Sequence, residues 1–260
     1  MKSVYLMAAV LLSAPALALD EPRTPLSDPL QSGMWSYHQK NLLGDPEKIE
    51  FDDRVIVSAP ASAEDSFNVP VLVDATALED VQQMVFLVDY GPIPKILTYW
   101  PEQAEPKISF RFKIDQATPV RAAVQTGDGV WHIGSTVIDA AGGGCSAPAA
   151  AYASDDWEEH LGKVYGRVWP DRGRVRMVVD HPMDTGLADG IPIFIIEDLE
   201  LANEATKEKL ARLELYEPVN EDPAFTFYFP DGALGSEVRV EGRDNNGNEI
   251  DALISAVVSQ

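Results

Sequence analysis

One interruption constrains this chain more than anything else in it. Short runs of β-forming residues, many with an apolar side chain at every second position, fill both halves of the sequence. Between them lies Ala140-Ala141-Gly142-Gly143-Gly144-Cys145-Ser146-Ala147-Pro148-Ala149-Ala150-Ala151, with no large apolar side chain until Tyr152. Alternation at period two buries one face of a strand. A stretch of small residues has too little apolar surface to drive its own burial and reads as a mobile linker. The expectation is an all-β protein, with two immunoglobulin-like β-sandwich domains joined by a Gly/Ala-rich linker.

In the first half, strands are expected at 50–57, 68–74, 84–89, 96–100, 107–114, 119–126 and 130–138. Phe110, Phe112 and Ile114 alternate clearly, and Gly127-Asp128-Gly129 is a tight hairpin signal. In the second half they are expected at 164–169, 174–180, 193–202, 209–216, 224–230, 237–244 and 249–258. Asp244-Asn245-Asn246-Gly247-Asn248 is a hairpin turn, and 203–210 reads as one helical turn or a hairpin loop. The resulting division is 1–18, 19–48, 49–139, 140–156 and 157–260: a signal peptide, an N-terminal segment, the first sandwich, the linker and the second sandwich. Trp35 and Tyr37 are candidate docking residues of the N-terminal segment, and Trp131 and Trp169 are candidate core residues.

The signal peptide rests on Met1-Lys2, an apolar run from Val4 to Leu12, and Ala16-Leu17-Ala18 as a cleavage site. The apolar run is too short to span a bilayer, which takes about 20 residues. The expected location is therefore the periplasm, by a Sec-type route, with no membrane attachment after cleavage. Lys and Arg total 20 against 42 Asp and Glu, a net charge of −22. Such a chain is repelled by phosphate backbones, so nucleic acid is set aside as a partner. Both halves are acidic: net −10 over 19–144 and −13 over 155–260. An apolar interface or the covalent linker must hold them together.

The chain has one cysteine, Cys145. It cannot form an internal disulfide, so it is a buried inert residue, a free thiol with a task, or an incidental linker residue. Gly142, Gly143 and Gly144 remove every side chain on its N-terminal side and leave the backbone permissive. That setting suits a thiol carried on a thin, flexible arm into a pocket of another protein. A catalytic thiol has a base or a positive group beside it. The nearest charges in sequence here are Asp139, Asp155 and Asp156, so the activating charge is expected from a partner.

The first half resembles SoxY, a protein of periplasmic sulfur oxidation. The resemblance is carried by Trp35, Leu42-Leu43-Gly44-Asp45, Ala59-Pro60, Ala63-Glu64-Asp65, Val69-Pro70-Val71, Thr118-Pro119-Val120-Arg121, Asp128-Gly129-Val130-Trp131 and Gly142-Gly143-Gly144-Cys145. The second half resembles SoxZ through Val175-Arg176-Met177, His181-Pro182-Met183-Asp184-Thr185-Gly186-Leu187, Pro223-Ala224-Phe225-Thr226-Phe227 and Asp244-Asn245-Asn246-Gly247. The resemblance implies a fused SoxYZ-like carrier, not an enzyme, holding sulfur intermediates covalently on Cys145 during oxidation of thiosulfate or other reduced sulfur. It implies three partners: a c-type cytochrome, a sulfate-releasing hydrolase and a sulfane dehydrogenase. It assigns no catalytic residue, resident cofactor or metal. SoxY proteins end just after the cysteine, whereas this chain continues, so a partner must accept a loop of two strands or offer an open cleft. Fused chains of this kind also resemble a SoxYZ-like group associated with a quinoprotein (PQQ) alcohol dehydrogenase, a second functional reading. A third is an exported β-sandwich binding module with an incidental cysteine.

Other polar clusters have plainer readings. His38, His132, His160 and His181 match no metal-binding spacing. His181 reads as part of a structured turn set by Pro182. Asp52-Asp53 and Glu158-Glu159 read as solvated surface.

Overall fold

The computed structural model describes residues 27–256. The expected signal peptide therefore lies outside the described residues. Among the described residues, regular structure is mostly strand.

After helix α1 (Trp35–Asn41), the first half runs β1 (Ile49–Phe51), β2 (Ile56–Ser58), β3 (Val69–Asp74), β4 (Val81–Val88), β5 (Lys95–Trp100), β6 (Lys107–Phe112), β7 (Thr118–Thr126) and β8 (Trp131–Ile138). The second half begins with one short helix, α2 (Trp157–His160). It continues with β9 (Val164–Trp169), β10 (Arg174–Val179), β11 (Asp184–Thr185), β12 (Ile193–Phe194), β13 (Ile196–Asn203), β14 (Lys209–Leu215), β15 (Ala224–Tyr228), β16 (Glu237–Asp244) and β17 (Glu249–Ser255). The strand expected over 50–57 is two strands, one in each layer, separated by a turn in which Arg54 N–H bonds Asp52 Oδ1 at 2.9 Å. The segment 203–210 is a hairpin loop: Lys207 N–H returns to Asn203 O at 2.8 Å.

Two layers stack face to face. One is a nine-stranded sheet of order β1-β8-β7-β4-β5-β14-β13-β16-β17, and the other a six-stranded sheet of order β2-β3-β6-β15-β10-β9. Each half repeats one immunoglobulin-like plan: three strands (β2-β3-β6 or β9-β10-β15) face four (β8-β7-β4-β5 or β17-β16-β13-β14). The halves meet edge to edge within one chain. β5 pairs antiparallel with β14, Tyr99 opposite Leu213, and β6 pairs with β15, Ile108 opposite Phe227. This pairing satisfies edge N–H and C=O groups that separate sandwiches would leave open. The inward side chains form one core through both halves, including Phe86, Phe110, Leu199, Phe225 and Phe227. Across the seam, the Tyr99 and Phe227 ring centroids lie 6.0 Å apart, and the Arg212 guanidinium sits 3.6 Å from the centroid of Trp100. The two acidic halves are thus held by shared sheets and a shared core.

The N-terminal segment covers the outer face of the nine-stranded sheet over the first half. Trp35 and Leu43 pack there on Val85, Leu87, Ala123, Trp131 and Ile133. Arg121, fully buried, donates to both oxygens of Asp28 (2.8 and 2.9 Å) and both of Asp89 (2.7 and 2.8 Å). Trp131 is buried as expected; of the two candidate docking residues, Trp35 is buried against the sheet and Tyr37 is exposed. Trp169 is not a core residue. It points outward from β9, and Arg174 stacks on it.

Candidate functional site

The thiol sits where the two halves meet. β8 ends at Ile138, and Asp139 bridges to the 61–63 segment through Asp139 N–H to Ala61 O (2.9 Å) and Ala63 N–H to Asp139 O (2.8 Å). The chain then turns through Gly142 and Gly143, with φ of 96° and 87°, values that favour glycine. Gly144 serves a different purpose. A Cβ there would fall 2.1 Å from Ser66 O and 2.6 Å from Ile114 O, and its N–H bonds Ile114 O at 3.1 Å. Only glycine lets the backbone lie this close.

Cys145 is buried, which corrects the expectation of an exposed thiol on a mobile linker. The reason is tertiary: the small residues lack the surface to bury themselves, but hydrogen bonds from both halves hold them. Cys145 Sγ–H points at Lys113 O, 3.8 Å away. Thr185 Oγ1–H donates to Cys145 O at 2.5 Å. Downstream, Ala149 N–H bonds Asp184 Oδ1 at 3.0 Å, and Ala150 and Ala151 N–H bond the two oxygens of Glu221 at 2.8 and 2.6 Å. Tyr152 O–H donates to Asp184 Oδ2, and Lys113 Nζ donates to Met183 O.

The segment that grips the arm is the His181–Thr185 turn. Met183 N–H donates to His181 Nδ1 at 3.0 Å, so the ring proton lies on Nε2, 3.6 Å from Asp244. The backbone of His181 is tied to Asp222 in both directions at 3.0 Å. Burial lowers the His181 pKa to about 4, against the opposing pull of Asp244. Burial likewise raises the Cys145 thiol to about 11, with Asp115 adding to the rise and Lys113 opposing it. At neutral pH the docked thiol is protonated, and a thiol rather than a thiolate is a poor nucleophile. In this position the thiol is held in its less reactive form.

Two family models match the chain in order. "Sulfur oxidation protein SoxY" matches residues 39–145, and "Sulphur oxidation protein SoxZ" matches residues 170–253. The chain is a SoxY domain fused to a SoxZ domain. Together the two families mark a sulfur-oxidation carrier protein. Among solved structures, the sulfur carrier protein SoxY from Chlorobium limicola f thiosulfatophilum is 17% identical, covers 41% of this chain and 96% of its own, and has a TM-score of 0.37. No curated protein matches the chain.

The SoxY match ends on Cys145 itself. The SoxZ half supplies Thr185, Asp184 and Glu221, so Cys145 and the residues after it are held by side chains of the other half. In the sequence the His181–Leu187 stretch reads as a structured turn of the SoxZ-like half near the interface; the structure adds its contact with the residues around Cys145. Lys113 was missed altogether, because nothing local distinguishes a strand-end lysine that the fold buries. Elsewhere, Glu50, Asp52 and His132 place one potential ligand atom each within 4.8 Å of one another. The Asp52 carboxylate is already engaged, by Arg54 Nη2 at 2.6 Å and by His132 Nδ1 at 2.8 Å.

Proposed function

We propose that this SoxYZ chain is a periplasmic, non-enzymatic carrier that holds sulfur intermediates on Cys145 during oxidation of thiosulfate or other reduced sulfur. The observation that carries the reading is that the one thiol of the chain sits at the end of the SoxY match, behind three glycines. In the loading step the Cys145 thiol loses its proton, and a bond forms between Sγ and the outer sulfur of thiosulfate. Two electrons leave to a c-type cytochrome. A hydrolase then adds water and releases the terminal sulfonate as sulfate, leaving a persulfide for a sulfane dehydrogenase. The buried thiol has to leave its site before the first of these steps, because its raised pKa keeps it protonated there.

Intact mass of the mature protein, isolated from its own periplasm during sulfur oxidation, tests this. The expected result is a reductant-labile adduct of sulfur, sulfonate or thiosulfate that is absent from Cys145→Ser. A bare thiol under those conditions overturns the reading.

A second reading is a SoxYZ-like carrier or accessory protein for a periplasmic quinoprotein alcohol dehydrogenase. The observation in its favour is that the arm is tied at both ends, its downstream amides held by Asp184 and Glu221. A closed arm differs from the free tail of separate SoxY chains. Loss of growth on an alcohol after gene deletion, with thiosulfate oxidation intact, favours this second reading.

A further inference from the structure

Over the second half, the two outer faces of the sandwich carry opposite charge, although both halves of the sequence are acidic. On the six-stranded sheet, outward positions fall in rows set by strand register. One row runs Trp169, Arg174, Tyr228, Lys107 and Asp74, the Lys107 ammonium lying 5.0 Å from the Tyr228 centroid. The next runs Arg167, Arg176, Thr226, Ser109 and Leu72. Arg111 follows on β6, opposite Pro70. Lys107 pairs with Asp74 at 2.7 Å. Among the described residues, none of the four arginines has a carboxylate within ion-pair distance. Arg174 and Arg167 lie over Trp169 at 4.3 and 5.6 Å, and Arg111 reaches Asn68 at 3.5 Å. Arg174 Nε is buried with no hydrogen-bond partner.

The nine-stranded sheet is the reverse over the second half. Its outward positions include Asp198, Glu200, Glu214, Glu241 and Asp251, and among the described outward cations only Arg212, stacked on Trp100, has no carboxylate partner. Arg239 pairs with Asp251 at 2.5 Å, Lys209 with Glu200 at 2.6 Å and Arg243 with Asp198 at 3.3 Å. In a chain of net charge −22, a surface arginine has carboxylates in easy supply. Four arginines left unpaired on one sheet face, interleaved with Trp and Tyr, form the residue set that dominates binding energy at protein interfaces.

We propose that the outer face of the six-stranded sheet is the docking surface for a partner protein that presents a carboxylate-rich patch, and that docking there brings the partner to the arm. The face is continuous with the arm. A groove of about 640 Å³, lined among others by Phe67, Arg111, Pro148, Arg176 and Asn220, runs from the basic rows to the residues just after Cys145. Glu221 and Asp222 edge the groove at the arm end, which confines the basic patch to the sheet. A nucleic acid or an anionic membrane would meet the same arginines but also the repulsion of the whole chain. A second copy of the chain would have to place its acidic face here and would build an open head-to-tail array. The proposal deepens the carrier reading and rests on it only for the task of the partner.

The test uses the mature full chain and a fluorescein-labelled oligoglutamate peptide as the acidic probe, read by anisotropy at low ionic strength. One variant is Arg167→Gln/Arg176→Gln/Arg111→Gln; the control neutralises the opposite face, as Asp198→Asn/Glu241→Gln/Asp251→Asn. The expected result is binding that salt weakens, that falls about tenfold or more in the arginine variant, and that is not weakened in the control. Equal binding by wild type and the arginine variant overturns the proposal. So does arginine-dependent sedimentation with phosphatidylglycerol vesicles, or arginine-dependent self-association, without peptide binding. Adduct mass on Cys145 is read separately, so failure of the carrier reading and failure of the docking surface are distinct results.

Discussion

Thr185 of the SoxZ half donates a hydrogen bond of 2.5 Å to the carbonyl of Cys145 in the SoxY half. The residue that carries the thiol is thus clamped across the seam of the fused chain, and arm release requires that bond to break.

Thr185→Val keeps the shape of the side chain and removes the donor. A neutral hydrogen bond contributes about 1 kcal/mol net, so the docked arm should open roughly fivefold more often. The expected outcome is a rise of that size in the rate of Cys145 alkylation by iodoacetamide under native conditions. An unchanged rate would show that the Thr185 contact does not hold the arm.

The thiol pKa gives the pH dependence of docking. Burial raises it from 9.0 to about 11, so the docked state favours the protonated form. That contribution is fully present below pH 9 and is lost as pH rises toward 11. Thiolate absorbance in the ultraviolet should titrate near 11 in the native chain and near 9 once the arm is unfolded by denaturant. Titration of the native thiol near 9 would contradict a buried resting position.

His181 has the opposite sign. Its pKa falls from 6.5 to about 4, so the folded turn favours the neutral ring and its contribution is present above pH 6.5. As pH drops from 6.5 toward 4, protonation of Nδ1 removes the acceptor used by Met183 N–H. Cys145 alkylation, corrected for intrinsic thiolate content, should accelerate across that window, and His181→Asn should flatten the rise.

The seam predicts that the covalent connection is dispensable for cohesion. A protease site between the exposed residues Ser154 and Asp155 should yield a cut chain that still elutes as one species. The pairs β5–β14 and β6–β15 and the shared core remain intact after the cut. Phe227→Ala in the cut chain removes a fully buried ring at the seam, at a cost of about 3–5 kcal/mol, and should promote dissociation.

Arg121→Met leaves Asp28 and Asp89 buried without their cation. Breaking such a pair costs about 3–5 kcal/mol. The N-terminal segment should detach first, because Asp28 is its anchor and Trp35 stacks 4.7 Å from the same guanidinium. A red shift of tryptophan emission at lower urea than the main transition would report this. A single coincident transition would show that the segment and the sheet unfold together.

Much of the architecture was legible because period-two burial is a local property. Val164–Trp169 and Glu237–Asp244 form over the ranges that alternation indicates. The 50–57 run was misread as one strand because Asp52–Val55 makes a turn that sends its two ends to different layers. Trp169 was misassigned because a large aromatic at a strand end looks like core, and only register shows that it faces Arg174. Thr185, Asp184 and Glu221 were invisible as arm contacts, since they lie 32 or more residues from the groups they bind.

By itself, the sequence determined the strands, the turns, the small-residue break and the single thiol, since each depends on residues close along the chain. The tertiary structure decided three things. It joined the halves into two continuous sheets, buried the thiol at their seam and sorted charge by face rather than by half. Each depends on which edge meets which edge and which side of a strand faces out across the assembled sheet. Those relations come from long-range pairing, which composition and periodicity do not encode.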